Sequence, residues 1–534
     1  MYIEVRKIHV FVLSFLFVLV GVVAYGSTSA PSAFGHSSGE VDVTIGGVTK
    51  TLQQAITDGS LGSGGGVIPV ATGARLLVKN VSFAVGSYPH YPHATCLLLT
   101  DGQVACAGYT NFNKVGLGVT GLSVQPIFHT LPLMNVTSLV GGAYGFCAIY
   151  DKSGTERNRL VCWGHSAQGQ TGTGSRDTSI SIPTTVALAA GDQVAKVVCK
   201  HGDYEHTCAL LTSGTLKCWG YNGYGQLGDG TTTDRATPVS VGSLTGLTDF
   251  DLGGHSSGGM TCAKKTASGL DTLYCWGYNG YGQLGQNSAD GSAHSTPLQV
   301  AGLTNVRIKQ FDVAESDYGE VCVVLGGVDD GKIKCWGYNG YGQLGDGTTT
   351  DRTGPTFVQS IGSSLPKAVR VQIGAELTSD LSVCALLEDG TLACWGENNY
   401  GQLGDGTTTI RKAPVRVLDG ATNLPLTGIT DFVVGTHWGI STVCALQNTG
   451  NVYCWGYNGI GQVGNGYQNS PVMKASRVLG VSGATGLYGA SWYSRGTFCA
   501  LLRDNTLKCW GDNTYGQMGT GNAGAYHPTA VSPL

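Results

Sequence analysis

The chain has 534 residues, 84 of them Gly, with 12% charged side chains and a formal net charge of −4. This balance favours many short strands and tight turns over amphipathic helices or disorder. Lys and Arg are scattered along the chain with no dense run and no basic stripe to neutralise phosphates, which argues against nucleic acid as a partner.

In chain order, Arg6, Lys7 and His9 precede an apolar run at residues 10–24, and small residues follow at Ala24, Gly26 and Ser27. Residues 1–26 therefore read as an export signal. The alternative is an uncleaved anchor, but the run is shorter than the roughly 20 residues a spanning helix needs. Membrane contact is expected only through this segment, and the rest of the chain outside the cytoplasm, whether secreted, periplasmic or at the cell surface. Residues 27–75 read as an extension with a short strand and a helix, ending in a Gly/Ser linker.

From residue 76 to 534 the chain repeats. Cys-Trp-Gly begins at Cys162, Cys218, Cys275, Cys335, Cys394, Cys454 and Cys509, at spacings of 55–60 residues, and a degenerate copy begins at Cys106. Each unit holds an alternating apolar stretch such as LTDFDLGG, a variable segment, CALL, a turn, TLKCWG, a Gly-rich run and a PVSV-like stretch. That is four short strands per unit. Four-stranded units that cannot bury both faces alone pack radially into a propeller. The turn between CALL and TLKC places Gly214, Gly390 and Gly450 where a three-residue hairpin loop needs positive φ, and Asn505 stands there in the last unit.

The string WGYNGYGQLGDGTTTDRATPVSV at residues 219–241 resembles the signature repeat of the regulator of chromosome condensation family, and the resemblance covers residues 76–534. It implies an all-β propeller, typically of seven blades. Family members include a nuclear exchange factor for a small GTPase and secreted bacterial inhibitors of β-lactamases, so the fold alone does not choose a role. Two departures stand out. Eight units are countable, which favours eight blades over seven, and the cysteines are paired, which disfavours an intracellular exchange factor.

Sixteen of the 17 cysteines form one pair per unit: Cys96 with Cys106, Cys147 with Cys162, Cys208 with Cys218, Cys262 with Cys275, Cys322 with Cys335, Cys384 with Cys394, Cys444 with Cys454, and Cys499 with Cys509. In the short hairpins the two positions are equidistant from the turn, so they oppose each other within disulfide reach. Zinc would need further ligands that the hairpins lack. Disulfides persist in oxidising compartments, in agreement with the export signal. Cys199 is left over and reads as a small apolar residue in a strand. The recurring Trp residues read as packing rather than a sugar-stacking set. GDGTTTD at residues 228–234 and 345–351 reads as a polar turn rather than a calcium site, because Ile410 replaces the second Asp in a third copy. No cofactor is expected.

Candidate recognition residues follow from strand direction. If the strands of a unit alternate, the loop before CALL and the loop after CWG emerge on one face, and the hairpin turns on the other. The loop after CWG is nearly constant and reads as scaffold. The loop before CALL varies and carries ring side chains: Tyr88, His90, Tyr91, Tyr144, His201, Tyr204, His255, Tyr318, His437, Trp438, Trp492 and Tyr493, with Arg495. Variable loops on a rigid scaffold suit recognition, and Trp, Tyr and Arg dominate binding hot spots; the competing role for these rings is to plug the blade tops. The favoured reading is an exported, non-catalytic protein that binds a protein or glycan of the cell surface or its surroundings. A nucleotide-exchange regulator and an extracellular enzyme are the alternatives, although no nucleophile elbow, phosphate loop or His-Glu metal motif is present.

Overall fold

The computed structural model describes residues 76–533 apart from 85–92, 111–113, 119–123, 143–144, 153–155, 200–205, 255–258, 317, 375–380, 438–439 and 493–494, together with four short strands before residue 52. Two compact units are present, Met1–Ile68 and Pro69–Leu534. In the first, Ile3–Glu4 pairs in parallel with Val22–Val23, and Asp42–Ile45 pairs antiparallel with Val48–Thr51. The extension thus contains a hairpin where one short strand was expected. The helix expected after it lies outside the described residues, as does most of the export segment. No helix among the described residues is long and apolar enough to cross a membrane.

The second unit contains eight four-stranded antiparallel sheets, each ordered as its strands occur in the chain. Blade 3 shows the plan: Val194–Cys199, His206–Leu211, Leu216–Gly220 and Arg235–Ser240. Blade 1 opens with Val78–Ala84 and blade 8 closes with Ala525–Val531. Eight, the repeat count, is therefore the blade number, and the typical family count of seven does not hold. The second strand is buried along its whole length in blade 3, as expected for a strand covered on both faces. The fourth strand has no buried residue and forms the outer edge.

First strands of consecutive blades meet at the axis, where side chains of one blade bond the backbone of the next. Lys196 Nζ donates to Phe250 O at 2.8 Å, Asp251 Oδ2 accepts Val313 N at 3.1 Å, and Asp312 Oδ2 accepts Ile373 N at 2.7 Å. These bonds occupy backbone groups on the inner edges of blades 4, 5 and 6, which would otherwise be open to pairing. On the outer edge, Pro183, Pro238, Pro297, Pro355 and Pro414 occupy one register position, and Pro has no N–H to offer a foreign strand. Blades 7 and 8 carry Ala475 and Ala530 there. Their N–H groups donate to Leu418 O and Leu479 O of the preceding linkers, at 2.9 and 3.1 Å.

One inter-blade bond recurs eight times, from the loop between the third and fourth strands to the fourth strand of the next blade. It begins with Gly118 N to Ser181 O at 2.8 Å and ends with Gly521 N to Pro126 O at 2.8 Å. The last copy joins blade 8 to blade 1, so the ring closes. Seven junctions are also plugged by a buried Trp whose Nε1 donates to a carbonyl of the preceding blade at 2.8–3.0 Å, as Trp276 does to Gln226 O. A Cβ on Gly228 (φ +69°) would lie 2.6 Å from Trp276 Nε1, so only Gly lets the loop and the ring meet there.

All eight cysteine pairs are disulfides, with Cα atoms 4.1–4.2 Å apart. Cys199 lies outside these eight disulfides; it is half-buried and packs beside the core between blades 2 and 3. Asn505 has φ 59°, which matches the glycines at the other hairpin tips.

Candidate functional site

Antiparallel pairing throughout each blade puts the loops joining strands 1–2 and 3–4 on one face, here the upper face, and the hairpin tips on the other. Of the ring-bearing candidates, Tyr88, His90, Tyr91, Tyr144, His201, Tyr204, His255, Trp438 and Tyr493 lie outside the described residues. His437 and Trp492 end first strands, which places their backbone at the upper face. Tyr318 and Arg495 are described with their side chains.

Tyr318 belongs to a three-ring cluster across the junction of blades 4 and 5: its centroid lies 5.0 Å from Tyr281 and 4.7 Å from Tyr338, and those two are 5.5 Å apart. Tyr281 and Tyr338 come from the constant loop after CWG. Their counterparts pair across other junctions, Tyr224 with Tyr278 at 5.2 Å, Tyr400 with Tyr457 at 5.2 Å, and Tyr515 with Tyr109 at 5.5 Å. All these rings are half-buried. The constant loop is thus more than scaffold, because it supplies an aromatic surface between blades. The recurrence of Tyr in YNGYGQ was the available signal, but it shows no pairing until adjacent blades are docked.

Local bonds hold this loop in shape. Asn222 Oδ1 accepts Leu227 N at 3.0 Å, while its Nδ2 donates to Thr231 O and Thr233 O. Asp229 accepts Thr231 N, the Thr231 hydroxyl and Arg235 Nε, and Asp346 and Asp405 repeat the arrangement. Burial works against ionisation of these carboxylates, but the Thr and Arg partners outweigh it and hold them below the usual range. The GDGTTTD runs are therefore turns whose first carboxylate is already paired with a guanidinium. Among the described residues no group of three or more His, Cys, Asp or Glu could hold a metal.

Beneath the upper face, the residue opening the second strand differs from blade to blade. In blade 5 it is Glu320, buried, accepting Ser316 Oγ at 2.9 Å and Gln343 Nε2 at 3.4 Å. Burial pushes its carboxyl up to about 8, against those two bonds. In blade 3 it is His206, whose Nε2 lies 2.8 Å from Thr261 Oγ1. Thr261 donates its own hydrogen to Gln226 O, so the imidazole must be the donor to Thr261. Burial lowers His206 to about 3 and keeps it neutral. Neither group was singled out by sequence, because the neighbouring blade creates the burial.

Eight four-stranded sheets closed into a ring, each stapled by one disulfide, define a repeat-built β-propeller. The chain belongs to the regulator of chromosome condensation family: models described as the Regulator of chromosome condensation (RCC1) repeat match residues 194–226, 379–402 and 493–517, and 213–258, 271–316 and 330–379. Ultraviolet-B receptor UVR8 of Arabidopsis thaliana is 31% identical over 373 residues, 68% of this chain and 75% of that protein. The human E3 ubiquitin-protein ligase HERC2 is 27% identical over 70% of this chain, but the match spans only 7% of HERC2. The crystal structure of human WBSCR16 shares the fold with a TM-score of 0.54 at 18% identity, covering 73% of this chain and 96% of that one.

Proposed function

We propose that the chain is an exported, non-catalytic binding propeller that recognises a protein or cell-envelope glycan through its upper face. The observation that carries this reading is the difference between faces: the variable loops and the inter-blade tyrosines share one face, on a ring stapled once per blade. Eight disulfides support an oxidising compartment. An ultraviolet-B receptor and an E3 ubiquitin-protein ligase are both similar to the chain, and neither role follows from the shared fold. The test is capture of ligand from extracellular and envelope fractions by the mature chain. Replacing Tyr204, Trp438 and Trp492 together by Ala is expected to abolish capture and leave the thermal transition nearly unchanged. Retained capture by the folded variant overturns the reading, and wholly reduced thiols in native material overturn the compartment.

A further inference from the structure

Tyrosine faces carry the negative lobe of the ring quadrupole and attract cations, most strongly where a carboxylate stands beside them. The junction of blades 8 and 1 shows such a site filled from within the chain. The Arg495 guanidinium lies 5.9 Å from the Tyr515 ring centroid, its Nη1 donates to Thr514 Oγ1 at 2.6 Å, and Asp512 Oδ1 is 3.7 Å away. Tyr515 in turn meets Tyr109 of the next blade.

At the junction of blades 4 and 5 the same aromatic frame carries a ring at the position of that cation. Tyr318 stands where Arg495 stands, two residues before the residue that pairs with the Gly of Cys-Trp-Gly, Glu320 in one blade and Thr497 in the other. A third ring therefore joins Tyr281 and Tyr338 in place of the guanidinium. The carboxylate is Asp351, which is exposed and whose charge helps hold the Tyr281 hydroxyl above its usual range, after burial and the neighbouring phenols. Asp351 Oδ1 accepts Asn339 N at 2.8 Å. Among the described residues no Lys, Arg or His pairs with this carboxylate, since the adjacent Arg352 is bonded to Asp346 at 2.6 Å.

We infer that the Tyr281, Tyr318 and Tyr338 cluster with Asp351 docks an arginine side chain of a partner protein. Arginine fits better than lysine because its planar guanidinium can lie against a ring and offer paired N–H donors to a carboxylate at once, whereas an ammonium is a compact, strongly hydrated charge. The inference rests on the upper face being the recognition face and adds the chemistry of what it takes.

The probes are fluorescent hexa-arginine, hexa-lysine and free arginine amide, titrated against the full mature chain. Hexa-arginine is expected to bind at least fivefold more tightly than hexa-lysine, and arginine amide to compete only weakly, as for one side chain of a larger partner. Tyr318→Leu and Asp351→Asn are each expected to weaken hexa-arginine at least fivefold, while Glu388→Gln, which removes a negative charge from the opposite face, leaves it unchanged. Equal binding of both peptides, or full binding by a Tyr318→Leu protein with an unaltered thermal transition, overturns the inference. Arginine amide binding as tightly as the peptide overturns the protein source in favour of a small guanidinium ligand. If hexa-arginine fails while the Tyr204, Trp438 and Trp492 variant still loses capture, the face reading stands and only the arginine site falls.

Discussion

Seven blade junctions and the seam between blades 8 and 1 solve one packing problem with different residues. At the seven, Trp from the third strand fills the gap and bonds a carbonyl of the preceding blade. At the seam the third strand carries Ala107, and the ring comes from the fourth strand instead. Phe128 is 1% exposed, packs with Met518, and lies where a Cβ on Gly519 would come within 2.2 Å of it. The degenerate first repeat is therefore a repeat with its plug moved to another strand. What the junction requires is a buried aromatic volume against a glycine, whichever strand provides it. The seam lacks the indole bond to carbonyl, and backbone bonds help to close it, Gly521 N to Pro126 O and Val78 N to Asn505 O.

The largest expected effect breaks the seam. Phe128→Ala removes its plug and should cost about 3–5 kcal/mol, read as a lower urea midpoint and early proteolysis within blade 1. Trp336→Phe gives a regular junction a seam-like plug, keeping a ring but leaving Gln283 O without its donor, and should cost about 1–3 kcal/mol. A Phe128→Ala protein as stable as the native chain would show that the seam is held by the backbone alone.

The next effect sharpens the contrast between blades at their upper ends. The Glu320 carboxyl is pushed up to about 8 from an ordinary 4.5. Between those values the unfolded chain has released the proton and the folded chain still holds it, so this group makes stability fall as pH rises from about 4.5 to 8. Glu320→Gln should flatten that fall in thermal unfolding measured across the window. An unchanged slope would place the dependence on other groups.

The smallest effect tests the outer edge. Ala475→Pro deletes the N–H that bonds Leu418 O and should cost about 1 kcal/mol, whereas Pro238→Ala, at the half-buried equivalent position of blade 3, mainly adds an N–H on the outer edge. Chemical denaturation compares the two, and equal costs would mean that the linker bond in blade 7 contributes nothing.

The sequence alone determined the strands, the hairpin tips, the eight-unit count and the disulfide partners. Each of these depends on residues within one repeat, where spacing and turn chemistry decide the geometry: Cys208 opposes Cys218 because the turn between them has three residues, and Asn505 replaces Gly because both tolerate positive φ. Tertiary structure alone decided what lies between blades. Phe128 became a plug because ring closure brings it against Gly519, nearly the whole propeller away in sequence. Tyr281 became part of a surface because the next blade brings Tyr318 and Tyr338 to it, and Glu320 lost its charge because surrounding groups bury it. A repeat specifies its own strands by local rules, but a junction exists only once two repeats have packed, so its chemistry has no period along the chain from which to be read.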